Sequence, residues 1–155
     1  MVPYEITTGR DIPPPSPDPV YWTLITSMFL HGGLLHIAGN MLFLWVFGDN
    51  VEDALGHLGF LLFYFAAGIF AGLSQVLIDP LSRIPGIGAS GAIAGVLAAY
   101  LVLFPQATVR TLLFIGPFFT ITRLSAFIII GLWILFQVVS GLLSLGITPP
   151  ASSPA

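Results

Sequence analysis

Four side chains at the edges of long apolar stretches are of types that can hold a proton or an oxyanion at a reacting carbonyl: His31, His36 and Asn40 around one stretch and Ser90 at the start of another. His36 and Asn40 are four apart and share one face of a helix, whereas His31, five before His36, lies off that face. Ser90 sits in Gly88-Ala89-Ser90-Gly91, where the glycines let a backbone approach closely and leave the hydroxyl open. At the N-terminus of a helix, free N–H groups favour a developing negative charge. A serine facing a histidine–asparagine pair in a wet pocket is the outline of acyl transfer, a nucleophile with oxyanion donors. The same residues have a plainer reading, as polar groups that hydrogen-bond between helices and hold a bundle together. The elements that carry them decide between the two.

Composition says what those elements are. Of 155 residues, 56% are hydrophobic and 7% charged, and the mean hydropathy is +0.99. Soluble domains carry about 25% charged residues, so a water-soluble globule and a disordered chain are both excluded. Four arginines and no lysine stand against seven acidic residues, a net charge of -3 that offers no basic surface to nucleic acid. With no cysteine, disulfides, thiolate zinc sites and cysteine nucleophiles drop out together. What remains is an integral membrane protein.

No charge occurs between Asp18 and Asp49, Asp53 and Asp79, or Arg83 and Arg110, nor after Arg123. Each interval is long enough for a helix across a hydrocarbon core of about 30 Å, and in lipid an apolar run satisfies its backbone as a helix. The expected architecture is an all-α, multi-pass bundle with spans at Leu34–Phe47, Leu58–Ile78, Ser90–Phe104 and Leu124–Leu145. Two are short: about 21 Å for the first and about 23 Å for the third. Pro105 closes the third, and the apolar but helix-breaking Ile84-Pro85-Gly86-Ile87-Gly88 precedes it. Such a helix starts below the membrane surface, which predicts a water-filled dent on one face. Tyr21–Leu30 belongs in the headgroup region, anchored by Tyr21 and Trp22.

Residues 1–20, with six prolines, form a Pro-rich loop outside the membrane domain of residues 21–146, and 147–155 is a Pro/Ser-rich tail. No signal peptide is visible after Met1. Thr111–Thr122, broken by Gly116 and Pro117, is too short to span and reads as an interfacial or re-entrant segment. Asp49-Asn50-Val51-Glu52 has the spacing of a capping box rather than of a catalytic carboxylate pair. Small residues four apart, Gly91/Gly95 and Gly68/Gly72, predict close helix packing that brings Ser90 against a neighbour. If the first span leaves one face, the second returns to it and the third leaves again, so His36 and Ser90 sit at similar depth on that face.

The segments His31-Gly-Gly-Leu-Leu-His36-Ile-Ala-Gly-Asn40, Gly48-Asp49-Asn50-Val51-Glu52 and Gly88-Ala89-Ser90-Gly91 resemble the rhomboid intramembrane serine proteases, from about Val20 to Gly146. G-x-S-G alone is a weak signal; behind H-x₄-H-x₃-N it is specific. The resemblance implies cleavage of membrane-anchored substrates in or beside their transmembrane segment. It makes Ser90 the nucleophile, gives His36 and Asn40 the oxyanion, leaves His31 structural, and sets the active-site face outside the cytoplasm. Arg110 and Arg123, flanking a loop on the other face, agree with the positive-inside rule.

The family's base is a histidine on a later helix, in an Ala-His-x-x-Gly setting that this sequence does not contain. The chain thus resembles the middle four of six core helices, and its 155 residues are expected to be inactive by themselves. The alternative is a non-catalytic relative that binds transmembrane helices. No metal or organic cofactor is implied: H-E-x-x-H is absent and His31 and His36 do not share a face. A channel or transporter subunit would need ionisable groups at mid-bilayer, which the spans lack. Partners are transmembrane substrates and the lipid bilayer.

Overall fold

A computed structural model describes residues 1–146; the tail expected at 147–155 lies outside them. Helix α1 covers Pro3–Thr8, α2 Thr23–Thr26, α3 Leu34–Leu55, α4 His57–Ile78, α5 Ser90–Leu103 and α6 Ala126–Gly146. Strands β1, Thr108–Ile115, and β2, Phe118–Ser125, lie between α5 and α6. The chain forms two compact units, residues 1–103 and the part from Phe104 onward.

The first long helix is longer than its apolar run. α3 continues through Asp49, Asn50 and Glu52 to Leu55, 22 residues or about 33 Å. The capping box expected at Asp49–Glu52 therefore does not exist. Nothing in that stretch breaks a helix: Val51 is buried to 0% exposure while Asp49 and Asn50 face outward. The break comes at Gly56, whose φ of 72° is open to glycine and strained for other residues. Glu52 instead bonds His57, the first residue of α4. Among the described residues, α3 and α4 are each long and apolar enough to cross a membrane.

α5 is the short helix the sequence called for, 14 residues or about 21 Å. Its buried residues Ala92, Ile93, Val96, Leu97 and Tyr100 recur at helical spacing, and it packs on both α3 and α4. A Cβ at Gly91 would lie 2.5 Å from the Ala71 methyl, and one at Gly95 2.5 Å from the Ala67 methyl. α5 thus runs antiparallel to α4, at a separation only small residues permit. Against α3 it runs parallel: Phe47 and Tyr100 meet edge-on at 4.9 Å between centroids, while His36 meets Gly88 at the other end.

Before α3, 3₁₀ turns at Val20–Trp22 and Ser27–Phe29 flank α2, and Tyr21 and Trp22 are exposed as anchors would be. Residues 1–20 are not wholly irregular. Pro3, pre-set for a first helical turn, opens α1, which ends at Gly9 in the left-handed conformation. Tyr4 donates its N–H to the Ser82 carbonyl at 3.0 Å, Thr7 its hydroxyl to Pro80 at 2.7 Å, and the Arg83 guanidinium lies 4.8 Å from the Tyr4 ring centre. The segment is thereby tied to the loop before α5.

In the second unit the apolar stretch expected to be interfacial or re-entrant is a β-hairpin, an exception within an otherwise helical chain. Its register runs from Thr108↔Ser125 to Ile115↔Phe118, closed by Gly116 with φ of 60° and Pro117. Glycine first in a two-residue turn suits a tight hairpin, and the flanking Thr, Val and Phe residues favour extended backbone. Two strands pair each other's N–H and C=O groups as a helix would pair its own.

Candidate active site

Ser90 is the first residue of α5, and the Ile93 N–H donates to the Ala89 carbonyl at 2.9 Å as the first bond of that helix. Ahead of it, Gly88 has a φ of 105°, a backbone state only glycine holds without strain. Its N–H donates to the Ser27 carbonyl at 2.9 Å, pinning the loop to the second 3₁₀ turn. Two residues earlier, Gly86 exchanges bonds with Met1: the Gly86 N–H donates at 2.8 Å and the Met1 amine at 3.2 Å.

His36 and Asn40 on α3 converge on Gly88. A Cβ there would stand 2.8 Å from the His36 Cε1 and Nε2 and 3.7 Å from the Asn40 Nδ2. Asn40 is 3% exposed, and its Nδ2 has no hydrogen-bond partner among the described residues. His31 packs edge-on against His36, 5.2 Å between centroids at 78°; both its ring nitrogens are buried without a partner. The sequence placed His31 off the face of His36 and Asn40, and it is ring contact that joins it to His36.

A cavity of about 190 Å³ opens beside α5. Ser90 lines it with Ser27, Met28, Ala71, Gln75 and Gly86. His36 and Asn40 are not in its wall; they meet the glycine two residues before Ser90. The structure thus brings the serine to a cavity and the donor pair to the adjoining backbone. Ser27 and Gln75 are wall residues that reading the motifs alone overlooked. Gln75 carried a signal, as a polar side chain inside an apolar helix. His57 is remote: its side chain is 95% exposed, at the end of α4 away from the Ala71 that meets Gly91. No cluster of three metal-ligating side chains occurs among the described residues.

A short serine-headed helix clasped between two membrane-length helices defines a helical membrane protein with a hydroxyl site at one end of its central helix. The chain matches the rhomboid domain family over residues 18–150 and belongs to that family, whose members are integral membrane proteins. Rhomboid protease GluP of Bacillus subtilis is 44% identical to it over 81 residues, 52% of this chain and 15% of that protein. Rhomboid protein 1, mitochondrial, of Saccharomyces cerevisiae is 37% identical over 99 residues, 61% of this chain and 28% of that protein. The presenilin-associated rhomboid-like protein, mitochondrial, of Bos taurus is 37% identical over 101 residues, 64% of this chain and 26% of that protein. The chain therefore spans well under a third of the length of these relatives. No solved structure matches it.

Proposed function

We propose that this chain is the serine-bearing part of an intramembrane serine endopeptidase that cleaves membrane-anchored proteins in or near their transmembrane segment. The observation that carries the reading is the contact of His36 and Asn40 with Gly88, which sets two donors beside the backbone leading to Ser90. Ser90 Oγ attacks the substrate carbonyl, and its proton passes to a histidine on a helix outside the 155 residues. The oxyanion is held by the Ser90 N–H, one of the helix-terminal N–H groups without an intrahelical acceptor, together with His36 and Asn40. The tetrahedral adduct collapses by breaking the scissile C–N bond, and the amine half of the substrate leaves with the proton the histidine took from Ser90. Water from the cavity, deprotonated by the same histidine, then hydrolyses the acyl-enzyme, freeing the carboxylate half and returning the proton to Ser90. The bundle crosses the membrane several times, with this site toward the extracytoplasmic face. His31, against His36, positions that ring.

The test is fluorophosphonate labelling of a longer chain that includes the histidine helix, in detergent and in bilayers. Labelling that disappears in Ser90→Ala supports the enzyme. Absence of labelling in that longer chain would replace it with the second reading, a rhomboid-like protein that binds transmembrane helices without cutting them.

A further inference from the structure

The β-hairpin carries a charge pattern that nothing in its own unit answers. Residues directly opposite in an antiparallel pair share a face. One face of this hairpin is the ladder Thr108↔Ser125, Arg110↔Arg123, Leu112↔Ile121 and Phe114↔Phe119. Every rung beyond the first is outward-facing on both strands: both arginines are exposed, as are Leu112, Ile121, Phe114 at 74% and Phe119 at 69%. Like charges directly opposite one another repel. The sequence holds no Asp or Glu after Asp79, and from Phe104 onward the two arginines are its only charged residues. Neither has a carboxylate partner among the described residues.

From the arginine rung to the phenylalanine rung is four residues, about 13 Å of strand. Along that length the face passes from two guanidinium groups, through a Leu–Ile pair, to two aromatic rings next to the turn. This is the polarity gradient of a lipid leaflet from headgroup phosphate to acyl chain. Arginine presents a planar donor fork that fits phosphate oxygens, and basic side chains near a membrane are attracted to anionic lipid. Apolar residues beside them anchor a surface element in the acyl boundary.

We infer that the hairpin is an anionic-lipid-binding wedge: Arg110 and Arg123 jointly hold the phosphate of an anionic phospholipid while Leu112, Ile121, Phe114 and Phe119 enter the leaflet beneath it. The lipid phosphate is the counter-charge that lets two arginines stand opposite each other. The inference rests on membership of a membrane-protein family and on this ladder, and holds whether or not Ser90 is a nucleophile.

The absence of native cysteine makes depth measurable. The full chain carrying Phe118→Cys and a nitroxide label is reconstituted in phosphatidylcholine bilayers with and without phosphatidylglycerol. The label is expected to be accessible to oxygen and shielded from an aqueous nickel chelate, more so with phosphatidylglycerol. Native mass spectrometry of the unlabelled chain should show phosphatidylglycerol enriched about thirtyfold over phosphatidylcholine, as two basic contacts imply. Arg110→Gln with Arg123→Gln should abolish that enrichment, and the paired lysine variant should keep most of it. If the glutamine variant fails to fold, by circular dichroism, the depth comparison in the two bilayers decides. A label open to the chelate in both bilayers, or enrichment that survives in a folded glutamine variant, overturns the proposal. So does a disulfide-linked Phe118→Cys dimer without lipid preference, which would make a second copy the occupant.

Discussion

Gly88 touches His36 so closely that the smallest added side chain has no room: a Cβ would stand 2.8 Å from two atoms of the imidazole. The two residues come from elements more than fifty positions apart, and the left-handed backbone at Gly88 is what lets the loop pass under the ring. Gly88→Ala adds both backbone strain and overpacking, and should destabilise the fold by about 2 kcal/mol or more. Thermal unfolding in detergent measures this. Adding His36→Ala removes the clash and leaves the strain, so the double variant should recover part of the loss. Full recovery, or no loss in the single variant, contradicts the contact.

Asn40 separates the catalytic reading from the bundle-holding one. Its amide nitrogen is buried and has no partner among the described residues, and a buried donor without a partner lowers stability. Asn40→Leu keeps the bulk and discards the donor. It should leave thermal stability unchanged or raise it by up to about 1 kcal/mol, while slowing Ser90 phosphonylation in a proteolytically competent longer chain by about 100-fold. A loss of stability with no loss of reactivity would show that Asn40 serves packing alone.

The α4–α5 seam is a matter of single methyl groups. Gly95→Ala places a carbon 2.5 Å from the Ala67 methyl, and should cost about 1–3 kcal/mol in denaturant unfolding. Exchanging the pair, with Ala67→Gly alongside, should restore most of it. Gly39, in α3, is the control. A Cβ there meets nothing within 4 Å, so Gly39→Ala should be neutral or stabilising by up to about 1 kcal/mol. Equal effects at 39 and 95 would mean helix propensity alone is responsible.

The start of α5 was legible because local chemistry dictates it: a helix-breaking run, glycines around Ser90 and a proline after Phe104 leave few other places for a short helix. The end of α3 was not, since the charges at Asp49, Glu52 and Asp53 mark where lipid ends and say nothing of where hydrogen bonding ends. Only Gly56 does that. The hairpin was obscured by judging Thr111–Thr122 on length and apolarity, when its β-branched and aromatic residues around Gly116-Pro117 were the stronger signal. The arginine rung follows only once the register is known. The cavity wall joins Ser27, Gln75 and Ser90, whose proximity depends on three helices packing and has no local signature. The three histidines make a sharper case. His31 and His36 meet by ring contact across the loop before α3, whereas His57 points into solvent beside Glu52.

Glu5 is the pin of the segment that braces the loop leading to Ser90. Its carboxylate, in a residue 2% exposed, accepts the Ile12 N–H at 2.9 Å and the Ser16 hydroxyl at 2.6 Å, folding residues 9–16 back over α1. Through Tyr4 and Thr7 the same helix holds Pro80 and Ser82, on the loop that leads to Ser90. Glu5→Ala strands both donors and should destabilise by about 1–3 kcal/mol. Glu5→Gln keeps one acceptor oxygen but turns an NH₂ toward the other donor, and should fall between. The distinguishing measurement is limited proteolysis: Arg10 is already on the surface, and freeing the backbone of residues 9–16 in Glu5→Ala should let trypsin cut after it well before the helical unit unfolds. Cleavage at Arg10 no faster than in the unaltered chain would show that the segment is held by α1 and its loop contacts, without the carboxylate.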